Sequence, residues 1–254
     1  MVLRSFLLLL LLLMFRPISS FLSHRPPTRR MASVSRRYSR QVFIQQNKEI
    51  GELANRGDWR GLLDYAEDKS SSFNDVNWAT TFSKLGRFGR NANVVRQIVR
   101  DARFSPLLSD LEENIGKFDS RALANIVHAL GGMGVRSDKI VRFVEDNAER
   151  ILAKAEPQAM ANIAYAFAKL EFKASRYFKA LNRENIVDEL VNGTPQEIAN
   201  TIWAMATLGE EAGTLAREIN TVETSRKIVK ERPQAIVNTI WAMATLGEEA
   251  GTLA

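Results

Sequence analysis

Residues 200–216 read NTIWAMATLGEEAGTLA, and residues 238–254 read the same seventeen letters. A duplication of that length makes the chain a repeat protein, and an internal period decides architecture before local propensity does. Working outward, the segments ahead of the two copies also match: Pro195-Gln196-Glu197-Ile198-Ala199 and Pro233-Gln234-Ala235-Ile236-Val237. One period earlier residues 157–170 read PQAMANIAYAFAKL, and one earlier still residues 122–130 read ALANIVHAL. The aligned asparagines are Asn125, Asn162, Asn200 and Asn238, spaced 37, 38 and 38 residues apart. A degenerate copy is expected at residues 77–86 (NWATTFSKLG), with Asn77 placed 48 residues before Asn125.

Each unit reads as two helices. Thr194 is placed to cap the first, with Pro195 at its first turn and Glu197 three residues after the cap, a capping box. Ile198, Ala199, Ile202, Trp203, Met205 and Ala206 make one broad apolar face at helical spacing. Gly209, Gly247 and Gly86 follow the last apolar residue, where a left-handed stop is expected. The second helix is looser, marked by Ile140, Phe143, Val144, Ala148, Ile151 and Leu152 in one unit and Ile219, Val222, Ile228 and Val229 in another. No stretch alternates as a strand would. Neither helix can bury its face alone, so neighbouring units must stack. The expected fold is all-α, an α-solenoid of two-helix repeats of about 38 residues. Four repeats are expected over residues 118–254, after an N-terminal helical region at 49–117. The last unit stops midway at Ala254, with Leu253 left apolar, so a longer parent chain is expected.

Composition narrows the chemistry. There is no cysteine, and His24 and His128 are the only histidines among 254 residues. Thiolate metal sites, disulfides and histidine-based triads are thereby left without material. Gly131-Gly132-Met133-Gly134 lacks the strand context and spacing of a nucleotide loop and fits a helix stop better. We therefore expect no enzyme, no cofactor and no metal. The formal charge of +6 is unevenly placed. Nine basic residues and no acid lie in residues 1–48, which leaves 26 of the 35 basic residues against all 29 acidic ones. Bulk charge beyond the leader gives no support to polyanion binding, so local stripes must carry it.

The leader itself has two parts. Arg4, an apolar run from Phe6 to Phe15 and the small pair Ser19-Ser20 describe a signal peptide over residues 1–20. Ten apolar residues are too few for a membrane span, which needs about 20. Residues 21–48 begin with a Ser- and Arg-rich stretch, free of acids, of transit-peptide composition. The series resembles the bipartite presequence of secondary-plastid algae, with Ser20-Phe21 matching the cleavage junction. That resemblance implies a plastid (chloroplast) location; a mitochondrial or a secreted destination are the alternatives. No membrane association is expected once the leader is removed.

The motifs PQEIANTIWAMATLG and PQAIVNTIWAMATLG resemble the octotricopeptide-repeat family of organelle proteins. The resemblance spans roughly residues 118–254. It implies an α-solenoid that binds single-stranded RNA and acts on transcript stability, processing or translation. The double proline opening of that family is reduced here to one, and the units are few. The nuclease-like C-terminal domain that many members carry has no counterpart in this sequence.

Stacked units place equivalent side chains in columns, and repeat RNA readers present two or three of them to each base. Gln196 and Asn200 are four apart on one helix face, and they recur as Gln158/Asn162, Gln234/Asn238 and Arg121/Asn125. Amides can both donate to and accept from a base edge or a ribose. The alternative is an asparagine ladder that bonds between adjacent helices. The nearly invariant Gln and Asn cannot encode different bases, so Ala159/Glu197/Ala235 and Ile126/Ile163/Thr201/Thr239 are the expected discriminators. An aromatic column, His128, Tyr165, Trp203 and Trp241, follows three residues after each asparagine. Stacking on bases is one use of such rings; bordering the Ile/Ala face, they are expected in the core. Phosphate contacts are expected from Arg96, Arg100 and Arg103, one face of a helix in a segment (84–103) with six basic residues and one acid. A second stripe is Lys169, Lys173, Arg176 and Arg183.

The expected function is thus an organelle RNA-binding repeat protein. The alternatives are a solenoid scaffold for a protein or peptide partner, favoured by the near-neutral body, and an enzyme whose catalytic domain lies beyond Ala254.

Overall fold

The computed structural model describes residues 29–230 and 233–248. The signal-peptide reading, the Ser20-Phe21 junction, His24 and the end of the final repeat at 249–254 lie outside the described residues. Among those described there are fifteen α-helices and no strand, so the fold class is all-α. The chain divides into two compact units, Met1–Val42 and Phe43–Ala254. Helix α1 (Arg29–Asn55) supplies the described part of the first and the opening of the second. The packed body therefore begins ahead of Lys48, where composition alone had drawn the boundary. Gln46 and Ile50 are buried, and the Asn77 amide donates to Phe43 O at 3.0 Å and to Asn47 Oδ1 at 2.9 Å.

After α2 (Trp59–Lys69) the second unit follows a regular plan. Five long helices recur: α3 (Asp75–Arg87), α6 (Ser120–Met133), α9 (Pro157–Lys169), α12 (Pro195–Leu208) and α15 (Pro233–Leu246). Each packs along its length on the next in the series. Small residues permit this. A Cβ on Gly131 would stand 3.0 Å from both Cα and Cβ of Ala166, and one on Gly86 would stand 2.8 Å from Ala129 Cβ. Ala164, Ala204 and Ala242 are fully buried in the same layer. Around these contacts Ile163, Ile198, Ile202 and Met205 lose all exposure, at about 1.5–3 kcal/mol of hydrophobic stabilisation for each large side chain.

The second helix of each unit is broken in two, where the sequence suggested one. The pieces are α4 (Ala92–Arg100) and α5 (Phe104–Asn114), α7 (Asp138–Asp146) and α8 (Ala148–Leu152), α10 (Ser175–Leu181) and α11 (Glu184–Asn192), and α13 (Gly213–Ile219) and α14 (Val222–Val229). Short polar residues sit at the last three breaks: Asn147, Asn182, and Asn220-Thr221. Such side chains compete for backbone groups and stop helices. Asn147 donates back to Phe143 O at 2.8 Å, and the Asn182 carbonyl accepts from Leu215 N in the following unit at 3.1 Å. Ile219 and Ile228 are buried as expected, but Val222 and Val229 are exposed. These outer helices are tied across units by Arg176–Asp146 (2.6 Å), Arg183–Glu149 (2.5 Å) and Ser137–Glu112 (2.6 Å).

Helix α3 is the upstream relative of the repeats, in a register three residues from that expected. Its N-cap Asn74 corresponds to Asp119 and Thr194, and its Thr81 hydroxyl donates to Asn77 O as Thr201 does to Glu197 O and Thr239 to Ala235 O. Thr80, not Asn77, is therefore the counterpart of Asn125; Asn77 is buried. Gly86 is a helix-interior contact residue rather than a stop.

The expected capping box at Thr194 is present, with Thr194 N donating to Glu197 Oε2 at 2.7 Å. Gly134, Gly209 and Gly247 take the left-handed conformation that ends α6, α12 and α15, with φ of 66°, 65° and 73°. At the same place after α9 stands Glu171, with φ of 51°. A side chain in that region costs about 1–2 kcal/mol, partly offset in any exchange by the flexibility that glycine brings to the unfolded chain. Glu171→Gly is accordingly expected to stabilise the protein by about 0.5–1 kcal/mol, read as a raised midpoint of urea unfolding. Gly86→Val must push into the backbone of Ala129 and is expected to cost about 1–3 kcal/mol in the same measurement.

Candidate nucleic-acid interface

The five long helices present one stripe each to solvent, at positions i, i+4, i+7 and i+11. In α6 it is Arg121, Asn125, His128 and Gly132; in α9 it is Gln158, Asn162, Tyr165 and Lys169. In α12 it is Gln196, Asn200, Trp203 and Thr207, and in α15 Gln234, Asn238, Trp241 and Thr245. Every one of these residues is half-buried or exposed. Helix α3 continues the pattern with Val76, Thr80, Ser83 and Arg87. Because consecutive long helices pack side by side, the stripes combine into rows that cross the array. All eight amide-row candidates, Arg121, Asn125, Gln158, Asn162, Gln196, Asn200, Gln234 and Asn238, are thus brought onto one surface.

The amide row is not the interhelical asparagine ladder. Gln196 Nε2 donates to Asn200 Oδ1 within α12 at 2.7 Å, and Gln234 Nε2 to Asn238 Oδ1 within α15 at 2.7 Å. Each bond uses one donor and one acceptor and leaves further donors and acceptors for a ligand. Two recesses lie in this row. One of ≈ 500 Å³ between α3 and α6 is lined by Val76, Thr80, Ser83, Arg121 and Asn125. One of ≈ 280 Å³ between α6 and α9 is lined by Arg121, Asn125, Gln158, Asn162, Lys154 and Glu156. Their charge is mixed, since Asp119, which caps α6, lines both.

The aromatic column does not lie in the core, contrary to expectation. His128 and Trp241 are exposed, Trp241 at 47%, and Tyr165 and Trp203 are half-buried. The His128 and Tyr165 rings are 5.8 Å apart and tilted by 35°, and Tyr165 and Trp203 are 5.4 Å apart and tilted by 36°. These are offset stacking separations, so three units are joined by one ribbon of rings about one helical turn along from the amide row. Polar residues at i−7, i−3 and i+4 of the same stripe were the signal that these rings face outward. Burial lowers the imidazole pKa of His128 despite its exposed edge, because the charged form loses hydration beside Tyr165.

All but one of the expected base discriminators are buried. Ala159, Ala235, Ile126, Ile163, Thr201 and Thr239 are buried, and Glu197 is engaged in the capping box. The surface positions that vary between units are the ring itself and the residue four beyond it, Gly132, Lys169, Thr207 or Thr245.

The phosphate candidates are scattered. Arg96 and Arg100 are exposed on α4, where Arg96 bonds Asn93 Oδ1 at 2.5 Å. Arg103 lies beyond the end of that helix and does not share its face. It pairs with Asp101 at 2.7 Å and with Asp64, and holds the Asp101 carboxyl down at about 2. Arg176 is tied to Asp146, while Lys173 is exposed between α9 and α10. All five belong to the broken outer helices or their connections rather than to the long-helix stripe. Arg87, Arg121 and Lys169 are the cations that stand in the stripe itself.

Among the described residues no cluster of three metal-ligating side chains occurs, and no helix is long and apolar enough to cross a membrane. A scan of the chain against models of protein families gives no match, and comparison with curated proteins gives none either.

The lowered pKa of His128 ties stability to pH. Between its folded value and the ordinary 6.5 the unfolded chain takes up a proton that the folded chain refuses. His128 therefore costs nothing above pH 6.5 and costs stability as pH falls below it. A proton-NMR titration is expected to place its midpoint below 6.5, and His128→Asn should flatten the acid side of the stability profile.

Proposed function

We propose that this chain is an α-solenoid that binds single-stranded RNA through the long-helix stripe and acts on transcripts in an organelle without chemistry of its own. One observation carries the reading: four successive units present a polar Asn and a ring side by side, half-buried or exposed, on one face of the long helices. Rings held at the surface offer stacking faces and edges to bases, and amides offer both donors and acceptors. Lys169, Arg87 and Arg121 supply positive charge along the same stripe. The resemblance of the repeat motif to octotricopeptide repeats, and the bipartite composition of residues 1–40, support a role in plastid RNA stability, processing or translation.

A specific observation favours a second reading, a scaffold for a protein or peptide partner. Asp75, Asp119 and Glu156 line the recesses of the amide row and would repel a polyanion while suiting a peptide. Capture of a partner from organelle extract that survives RNase treatment distinguishes the two.

Filter binding of single-stranded RNA at two ionic strengths tests the first reading. Retention is expected and should weaken steeply with salt. Asn162→Ala is expected to weaken binding while leaving the unfolding midpoint nearly in place; Trp203→Ala, whose ring also packs against the core and Tyr165, is expected to weaken binding and lower the midpoint as well. The tryptophan should cost about 1–3 kcal/mol per stacked base. Absence of RNA retention at low salt overturns the reading.

A further inference from the structure

Two of the four units carry the same four stripe residues. Gln196, Asn200, Trp203 and Thr207 on α12 are repeated as Gln234, Asn238, Trp241 and Thr245 on α15. Their internal bonding is repeated as well. The glutamine-to-asparagine bond is 2.7 Å in both, and the threonine hydroxyl donates to the tryptophan carbonyl at 2.8 Å in both. Two positions differ between the two helices, and neither belongs to the stripe: Glu197, held in the capping box, is replaced by buried Ala235, and buried Ala199 by exposed Val237. The other two units differ from this pair and from each other. Unit two has Tyr165 and Lys169 where the pair has Trp and Thr, and unit one has Arg121, His128 and Gly132.

A polymer laid across the array meets these surfaces in turn. Where repeat proteins take one base per unit, two or three side chains of that unit set the preference. Identical side chains in identical hydrogen-bonded states set identical preferences. We infer that the RNA recognised by this chain carries two identical nucleotides in succession, held by the α12 and α15 stripes and followed on the α9 side by positions of different preference. The discriminating groups are the ring and the residue four beyond it, because the Gln and Asn are common to three units. This rests on the stripe being an RNA site, and it adds what that site prefers.

The experiment is in vitro selection of random-sequence single-stranded RNA on the full chain, followed by the same selection on two variants. Trp203→Tyr with Thr207→Lys makes the α12 stripe identical to that of α9. The selected motif should keep a like pair but move it one position, to the nucleotides held by α9 and α12. Trp241→Tyr with Thr245→Lys changes the more exposed helix, where folding is least at risk, and should remove the like pair altogether. Each variant should bind the wild-type motif about tenfold more weakly, as one mismatched position does in sequence-specific complexes. If RNA is selected but the motif has no adjacent identical nucleotides, or the pair does not move, the inference is overturned while RNA binding stands. If no RNA is retained by the wild-type chain, both fall.

Discussion

The close approach of successive long helices governs the molecule. Helix axes can come together only as far as the side chains between them allow. Here those side chains are glycine and alanine: Gly86 on Ala129, Gly131 on Ala166, with Ala204 and Ala242 buried in the next layers. The tight contact has two effects. It excludes large residues from the line of nearest approach and leaves Ile and Met to fill the flanks. It also brings the outward stripes of neighbouring helices near enough for His128, Tyr165 and Trp203 to touch ring to ring. A surface common to several units thus depends on the smallest side chains in the protein.

The two layers of each unit divide their labour. The long helices are continuous; Asn74, Asp119 and Thr194 cap α3, α6 and α12, and a residue in the left-handed conformation ends α6, α9, α12 and α15. The outer helices are interrupted, and several of their charged groups pair with neighbours. Arg176 reaches Asp146, Arg183 reaches Glu149, and Arg103 is enclosed by Asp101 and Asp64. Cations that read as a solvent stripe are, in good part, fasteners between units. Exposed pairs such as Arg176–Asp146 and Arg183–Glu149 contribute little individually, but these two span the boundary between units and resist their slipping past one another. The stripe of the long helices is left with few charges and is made mainly of amides, hydroxyls and rings.

Much of the architecture was legible in the sequence. The duplicated segment at 200–216 and 238–254 gave the period, and the period gave the long helices, the cap at Thr194 and the glycine stops at Gly209 and Gly247. The amide column was legible too, because a residue that recurs at every period must recur in space if units pack in series. Less legible were the breaks at Asn147, Asn182 and Asn220. They depend on whether a polar side chain finds a backbone partner, and for Asn182 that partner, Leu215 N, belongs to the next unit. The register of the first copy was misread for a similar reason. Asn77 looks like the recurring asparagine, yet it is a buried residue that bonds Phe43 and Asn47 of α1.

What the sequence by itself determined is therefore the set of columns: which side chains are equivalent, and that the chain is helical around them. Periodicity is a local property, and it survives any detail of packing. What only the tertiary structure decided is the direction each column faces. The ring column borders the apolar face on a helical wheel, and whether it turns inward depends on how the next helix lies against it. Small residues at the contact draw that helix onto the Ala and Ile side and leave the rings at the margin. The same packing covers Ala159, Ile163 and Thr201, which the wheel alone left as candidates for contact with a ligand.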